Sequence, residues 1–146
     1  AGLVWAGRPD YWDDRKRSVG LASLAPLAQG GVALYSLQWG EAASQAASPP
    51  PGMPITVFGD EIRDFTETAA LLRCLDVVIT VDTVMSHLAG AMGVRTWLML
   101  PKAPEWRWLL ERQDCPWYPS MRLFRQDTDG DWSGVVRQVA AALGKI

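Results

Sequence analysis

Short runs of apolar, β-branched and aromatic residues recur along the 146-residue chain, separated by segments with helix signals. Each run is almost wholly apolar, as is typical of strands that are buried on both faces of a sheet. A strand that faces water on one side would instead alternate apolar and polar residues. We therefore predict six strands, at residues 3–6, 32–37, 55–58, 77–81, 96–100 and 121–125.

The segments between these runs predict helices. Ser23 is placed to be an N-cap with Pro26 in the first turn, an Ala-rich stretch begins at Glu41, and residues 64–75 form a third candidate. Regular alternation of strand and helix indicates βαβ units with right-handed crossovers. We expect one α/β domain over residues 1–146, a Rossmann-like three-layer αβα fold whose mostly parallel sheet has about six strands.

Composition narrows the classes of protein that the chain can belong to. Hydrophobic residues make up 49% of it and charged residues 21%, which suits a packed core, and a net charge of −2 without a basic face argues against nucleic acid as a partner. The apolar run at 77–81 is far shorter than the roughly 20 residues of a membrane span. With no signal peptide in view, we expect a cytoplasmic protein. Two cysteines and one histidine predict reduced thiols and no metal site.

In open parallel sheets, ligands bind beyond the carboxyl ends of the strands, so the loops after the strands are the places to search. The loop after the first strand, residues 5–18, reads WAGRPDYWDDRKRS. Gly7 would let the backbone approach a ligand, and Arg8 or Lys16 could neutralise phosphate. The alternative is a solvated charged loop. Neither a P-loop nor the G-x-G-x-x-G or G-x-S-x-G fingerprint is present.

The loop after the fourth strand carries the other candidate site, in VVITVDTVMSHLAGAMG at 77–93. Asp82 or Thr83 would be the N-cap of the next helix, which leaves the N–H groups of Thr83, Val84 and Met85 free to attract an anion. His87 follows Thr83 by one turn. The alternatives are a plain capping pair and a partly buried histidine that is hydrogen-bonded to a backbone carbonyl.

One face of that helix is expected to be polar and uncrowded, and it carries Thr83, His87 and Gly90. The neighbouring face is expected to pack in the core, because it carries Met85, Leu88 and Met92.

These residues resemble a known family. VDTVMSHLAGAMG, preceded by DFTETAALLRCLDVVIT and followed by LMLP, is similar to the nucleotide-sugar-binding half of heptosyltransferase-like glycosyltransferases of the GT-B fold. EWRWLLERQDCPWYPSMRLFRQ, at 105–126, resembles the tail of the bacterial group in which this domain follows tetratricopeptide repeats. The resemblance covers essentially the whole chain.

The resemblance implies a metal-independent enzyme that transfers a hexose or heptose from a nucleotide diphosphate donor. Thr83, with the N–H groups of Thr83 and Val84, would hold the diphosphate, and Asp82 and His87 would lie beside the sugar and phosphates. Gly7 and Arg8, with Lys16 or a neighbouring arginine, would close over the diphosphate. The loop at 98–106 would hold the base. This family commonly has glycine in place of Val84, whose β-branched side chain restricts the approach of a ligand.

Such enzymes bind the acceptor, and usually place the general base, on an N-terminal half. Because this chain begins with Ala inside a strand-like run, we expect it to be a fragment of a longer protein that lacks that half. Such a fragment would bind nucleotide weakly and not turn over. Several of the eight tryptophans would be exposed where the missing half docks, with self-association as one consequence. The competing hypothesis is a non-catalytic interaction module with a decayed site.

Overall fold

The computed structural model describes residues 1–58, 62 and 64–146, and its centre is a six-stranded sheet in which every neighbouring pair is parallel. The spatial order is β3-β2-β1-β4-β5-β6. The strands are β1 (Gly2–Val4), β2 (Leu34–Ser36), β3 (Ile55–Val57), β4 (Val78–Val81), β5 (Thr96–Leu100) and β6 (Met121–Arg125). All six predicted strands and the Rossmann-like fold class are confirmed, with ends that differ by a residue or two.

The helices agree with the sequence less closely. In the described part of the chain, the α-helices are α1 (Asp14–Arg17), α2 (Phe65–Arg73), α3 (Val84–Ala91) and α4 (Trp132–Leu143). Among the described residues, 3-10 helices span Leu21–Gly30, Glu41–Ala47 and Trp106–Trp108. The helix predicted over residues 64–75 is confirmed as α2, which has Asp64 as its N-cap and ends two residues earlier than predicted, at Arg73.

The prediction of Ser23 as an N-cap is wrong. Gly20 occupies that position, and the helix that follows is a 3-10 helix with Pro26 inside it. Proline has no N–H, and its ring crowds the carbonyl of the residue four positions earlier, so a regular α-helical ladder cannot run through this segment.

Helices cover both faces of the sheet, which gives three layers. On one face, α4 packs against the 3-10 helix Leu21–Gly30, above a cluster that includes Leu3, Ile79 and Met99. On the other face, α2 and α3 cover Val4 and Val78. Neighbouring residues of one strand thus point to opposite faces of the sheet. The inner strands β1, β4 and β5 are covered on both faces and are buried along their whole length.

Strand β3 departs from the expectation of uniformly buried strands. It lies at the edge of the sheet, where Ile55 is half-buried and Val57 is exposed. An edge strand has a neighbour on one side only, so less of its surface is covered.

The strand order sets the position of the candidate site. From β1 the chain moves outward through β2 and β3, and it then returns to β4 beside β1 before moving outward the other way. Ligand crevices form at such switch points, outside the carboxyl ends of the strands. The loops that follow β1 and β4 therefore face each other.

No helix among the described residues is long and apolar enough to cross a membrane. Cys74 is exposed, Cys115 is buried, and both are free thiols.

Candidate functional site

A cleft of about 1190 Å³ opens at the carboxyl ends of the strands. Its walls come from the loops after β1, β2, β4 and β5 and from the first turns of α2 and α3. The structure brings all the sequence-predicted binding residues to this one cleft: Gly7, Arg8, Lys16, Asp82, Thr83, Val84 and His87. Their proximity is a finding, and their roles toward a ligand stay predictions.

Helix α3 points its N-terminus at the cleft. Thr83 is the N-cap, with extended backbone, and its hydroxyl accepts the N–H of Met85 at 3.3 Å. The expectation of three free N–H groups is therefore wrong for Met85, while Val84 holds the first helical position, whose N–H has no partner within the helix. The Val84 side chain is 59% exposed and lines the cleft.

Asp82 lies just before this helix and carries the most perturbed carboxyl of the cleft. Burial raises its pKa above the usual 3.8, against the opposing effects of the Trp108 indole, Arg17 and His87. The Trp108 N–H is buried and approaches this carboxyl without the geometry of a full hydrogen bond. A carboxyl in this setting is a candidate for proton chemistry or for contact with a polar ligand.

Arg17 is the basic residue that joins the two sides of the cleft. Its guanidinium donates to the Asp82 carbonyl at 2.8 Å and pairs with Asp14 at 3.0 Å. It also stacks over the Tyr11 ring, 4.4 Å from the ring centroid. Fixed by three contacts and only partly exposed, Arg17 is better ordered to meet an anion than a free surface lysine. Of the two arginines adjacent to Lys16, Arg17 lines this cleft and Arg15 does not, and the role of Arg17 toward a ligand stays a prediction.

Gly7 allows this arrangement because it has no side chain. A Cβ at this position would come within 2.5 Å of the Arg17 guanidinium and would overlap the Asp14 carboxylate. Its N–H donates to the Ser18 hydroxyl at 2.9 Å, and that hydroxyl donates to Asp14 at 2.7 Å. Gly7 thus allows the close packing of the loop after β1, and its predicted approach to a ligand stays a prediction.

Arg8 and Lys16 line the mouth of the cleft, and each is paired locally. Arg8 pairs with Asp10, and Lys16 pairs with Asp13 at 2.9 Å. Exposed pairs of this kind contribute little to stability, so either side chain can turn toward a ligand at small cost. This part of the loop fits the alternative reading of a solvated charged segment.

His87 lies one turn into α3 in an aromatic setting. Its Nδ1 is 3.1 Å from the Tyr118 hydroxyl, and its ring stacks on Trp108 with centroids 5.2 Å apart. The alternative of a backbone carbonyl partner is therefore not what the structure shows. The expectation that Gly90 leaves this face uncrowded is wrong, because Gly90 is buried and the Tyr118 ring packs directly on it. The apolar line through Met85 is confirmed as core.

Gln38 is a buried residue of the cleft that the sequence reading missed. Its side-chain oxygen accepts the N–H groups of Trp5 and Ala6, both at 2.9 Å, and its amide nitrogen donates to the carbonyls of Ala6 and Trp39. Four hydrogen bonds from one side chain tie the end of β1 to the loop after β2. The sequence signal that could have identified Gln38 as a cleft residue is its position directly after a predicted strand.

Part of the rim of the cleft is apolar, and this part is called the apolar rim below. Trp12 is 80% exposed, and Trp39 and Phe65 are also exposed beside it. On the β5 side, Pro101 and Glu105 of the predicted base-holding loop line the cleft, whereas Trp106 packs edge-to-face against Trp117. Exposed tryptophans were expected, and their gathering around a cleft of mixed polarity is typical of a surface that meets a ligand or another domain.

Within the described residues, no group of three or more His, Cys, Asp or Glu side chains is placed to hold a metal ion.

Fold and site define the class of protein: a Rossmann-like α/β domain with a crevice at the switch point of its sheet, where a capped helix N-terminus faces an ordered arginine. The chain is 32% identical to Protein FlbA of Caulobacter vibrioides over 117 residues, a match that spans 77% of this chain and 19% of FlbA. The chain thus matches about a fifth of the length of this curated relative. No family model matches the chain, and no solved structure does.

Proposed function

We propose that this domain is the donor-binding half of a glycosyltransferase that transfers a sugar from a nucleotide diphosphate without a metal. The observation that carries the proposal is the meeting of the α3 N-terminus with Arg17 in one cleft. Thr83 and Val84 stand on one side of that cleft, and the Arg17 loop stands on the other.

Glycosyl transfer from a nucleotide sugar builds negative charge on the departing diphosphate. A helix N-terminus carries a partial positive charge, and fixed N–H and guanidinium donors stabilise developing charge without reorganising. In this proposal the Thr83 hydroxyl, the Val84 N–H and Arg17 bind the diphosphate. Asp82 and His87 lie beside the sugar and the phosphates.

The remaining parts of the proposal concern the whole protein. A second domain, docked on the apolar rim, would bind the acceptor and supply the general base. The domain by itself is expected to bind nucleotide and not to turn over. In this proposal the donor carries a hexose or a heptose, and the protein acts in the cytoplasm.

A second candidate is a non-catalytic interaction module whose nucleotide-sugar site has decayed. The exposed β-branched side chain of Val84 favours it, because this side chain stands beside the N–H that would meet a phosphate. The two candidates differ in one measurable property, which is the binding of nucleotide.

The test is an NMR titration of the 146-residue chain with UDP, GDP and ADP up to millimolar concentration. We expect at least one nucleotide to bind and to shift the amide signals of Thr83 and Val84. Thr83→Ala is expected to weaken binding by about tenfold or more, because a hydrogen bond to a charged group is lost together with the cap. His87→Ala is expected to weaken it as well.

Thr83→Ser is the matched control, since serine keeps the hydroxyl and is at least as good an N-cap. It is expected to bind nucleotide nearly as well as the wild type. If none of the three nucleotides changes any amide signal around the cleft, the interaction module becomes the better account.

A further inference from the structure

The chain's only histidine is held from two sides by aromatic residues that come from beyond β5. The Tyr118 hydroxyl lies 3.1 Å from His87 Nδ1, and the Tyr118 ring meets the imidazole edge-on at 5.9 Å. Trp108 is buried and stacks on the imidazole at an interplanar angle of 26°. The imidazole ring is therefore held in its own plane by Tyr118 and on one face by Trp108.

Gly90 makes this contact possible. It lies three residues after His87 and hence on the same side of α3. A Cβ at Gly90 would stand 2.5 Å from Cγ of Tyr118, within the space that the ring fills. The Tyr118 backbone is held in turn, because its carbonyl accepts the Met121 N–H at 2.9 Å at the start of β6. Helix α3 and the chain before β6 are thus packed so that the hydroxyl reaches one ring nitrogen.

The structure shows which two atoms share this hydrogen bond, and its direction depends on which ring nitrogen carries the hydrogen. Among the described residues, the partner found for the Tyr118 hydroxyl is His87 Nδ1. A half-buried hydroxyl hydrogen needs an acceptor, and a bare imidazole nitrogen is one. If the hydroxyl donates to Nδ1, the neutral ring must carry its own hydrogen on Nε2.

We propose that Tyr118 is a positioning residue that fixes neutral His87 as the Nε2–H tautomer, so that the ring offers a hydrogen-bond donor to an anionic ligand in the cleft. His87 lines the cleft, and Nε2 is the ring nitrogen left for a ligand. A donor at this place suits phosphate oxygens, which only accept hydrogen bonds. The ligand part of this inference rests on the proposed function, whereas the tautomer does not.

The tautomer is measured on the ligand-free chain. Because His87 is the only histidine, labelling with 15N-histidine gives ring signals that need no assignment. For the neutral imidazole, we expect the wild type to show a protonated Nε2 and an unprotonated Nδ1. Tyr118→Phe keeps the ring against Gly90 and removes the hydroxyl, so its ring nitrogen signals are expected to move toward the values of an averaged pair of tautomers.

Tyr35→Phe is the matched control. It removes a hydroxyl from a tyrosine of β2 that stacks on Phe58, away from His87. Its histidine signals are expected to equal those of the wild type. A protonated Nδ1 in the wild type, or a Tyr118→Phe spectrum identical to that of the wild type, would overturn the tautomer assignment.

The ligand part is measured by titration of the same variants with UDP, GDP and ADP. We expect Tyr118→Phe to weaken nucleotide binding by about three- to tenfold, the effect of one misplaced hydrogen-bond donor, and Tyr35→Phe to leave it unchanged. Equal affinities in Tyr118→Phe and the wild type would contradict the ligand part. Failure of the wild type to bind nucleotide would overturn the proposed function with it, while the ring signals would still decide the tautomer.

Discussion

At the scale of single residues, the feature with the clearest physical consequence is the carboxyl of Asp82. It lies at the end of β4 in a setting where burial outweighs the favourable effects of Trp108, Arg17 and His87 and raises its pKa. A raised pKa means that the folded state binds the proton more tightly than the unfolded state does. The carboxyl therefore supports folding while it is protonated, and this support is lost as the pH rises through its raised pKa.

Replacement of Asp82 by asparagine should reveal the free-energy cost of keeping an ionised carboxylate at this buried position. At neutral pH, we expect Asp82→Asn to have a higher free energy of unfolding than the wild type, because an amide of similar size avoids the desolvated charge. The difference in the free energy of unfolding between Asp82→Asn and the wild type should shrink as the pH falls through the raised pKa. It should be smallest below pH 3.8, where the carboxyl is protonated in both the folded and the unfolded state. Urea unfolding at a series of pH values measures it. A gap that stays constant with pH would contradict the role of ionisation.

At the scale of elements, the starts of α2 and α3 show how a helix cap acts through the local sequence. Asp64 caps α2 by accepting the N–H groups of Thr66 and Glu67, both at 2.8 Å, as its place before an apolar-periodic segment predicts. Thr83 caps α3, which decides between the two candidates that the sequence offered. In both cases the capping residue and the groups it satisfies are within three positions of each other, so the interaction can be read along the chain.

The cap of α2 gives a stability prediction. Asp64→Ala leaves two N–H groups without their acceptor and is expected to lower the free energy of unfolding by about 1–2 kcal/mol. Asp64→Asn keeps a side-chain oxygen at the same place and is expected to remain close to the wild type. Urea unfolding followed by far-UV circular dichroism compares the two. If alanine and asparagine behave alike, the side-chain oxygen is not what stabilises this end of the helix.

At the scale of the whole molecule, one six-stranded sheet runs through the described part of the chain, and its two central strands, β1 and β4, are buried along their length. The buried tryptophans report on different parts of the packing. Trp5 and Trp97 lie in the core of one face of the sheet, and Trp108 lies in a cluster with Leu98 on the other. Self-association through the apolar rim around Trp12 stays a prediction at this scale.

A single domain over residues 1–146 predicts one cooperative unfolding transition. We expect tryptophan fluorescence and far-UV circular dichroism to give the same midpoint in urea, with a slope of about 1–3 kcal/mol per molar urea. Coincidence is expected because the fluorescent side chains lie on both faces of the same sheet. Two separated transitions would show that the faces unfold independently and would contradict the single domain.

What the sequence by itself determined is the set of interactions that are local or periodic along the chain. The inner strands β1, β4 and β5 were predictable because burial on both faces demands uninterrupted apolar runs. The caps at Asp64 and Thr83 act over two or three residues. The convergence of the loops after β1 and β4 followed from the fold class, since parallel strands end at the same edge.

Only the tertiary structure decided which groups from distant parts of the chain meet. Tyr118 fills the space over Gly90 and reaches His87, which is 31 positions away, and Arg17 reaches the carbonyl of Asp82 across 65 positions. No local pattern encodes these contacts, because they depend on the relative placement of whole elements around the sheet. The sequence therefore predicted where a site would lie, and the packing determined how its histidine and arginine are held.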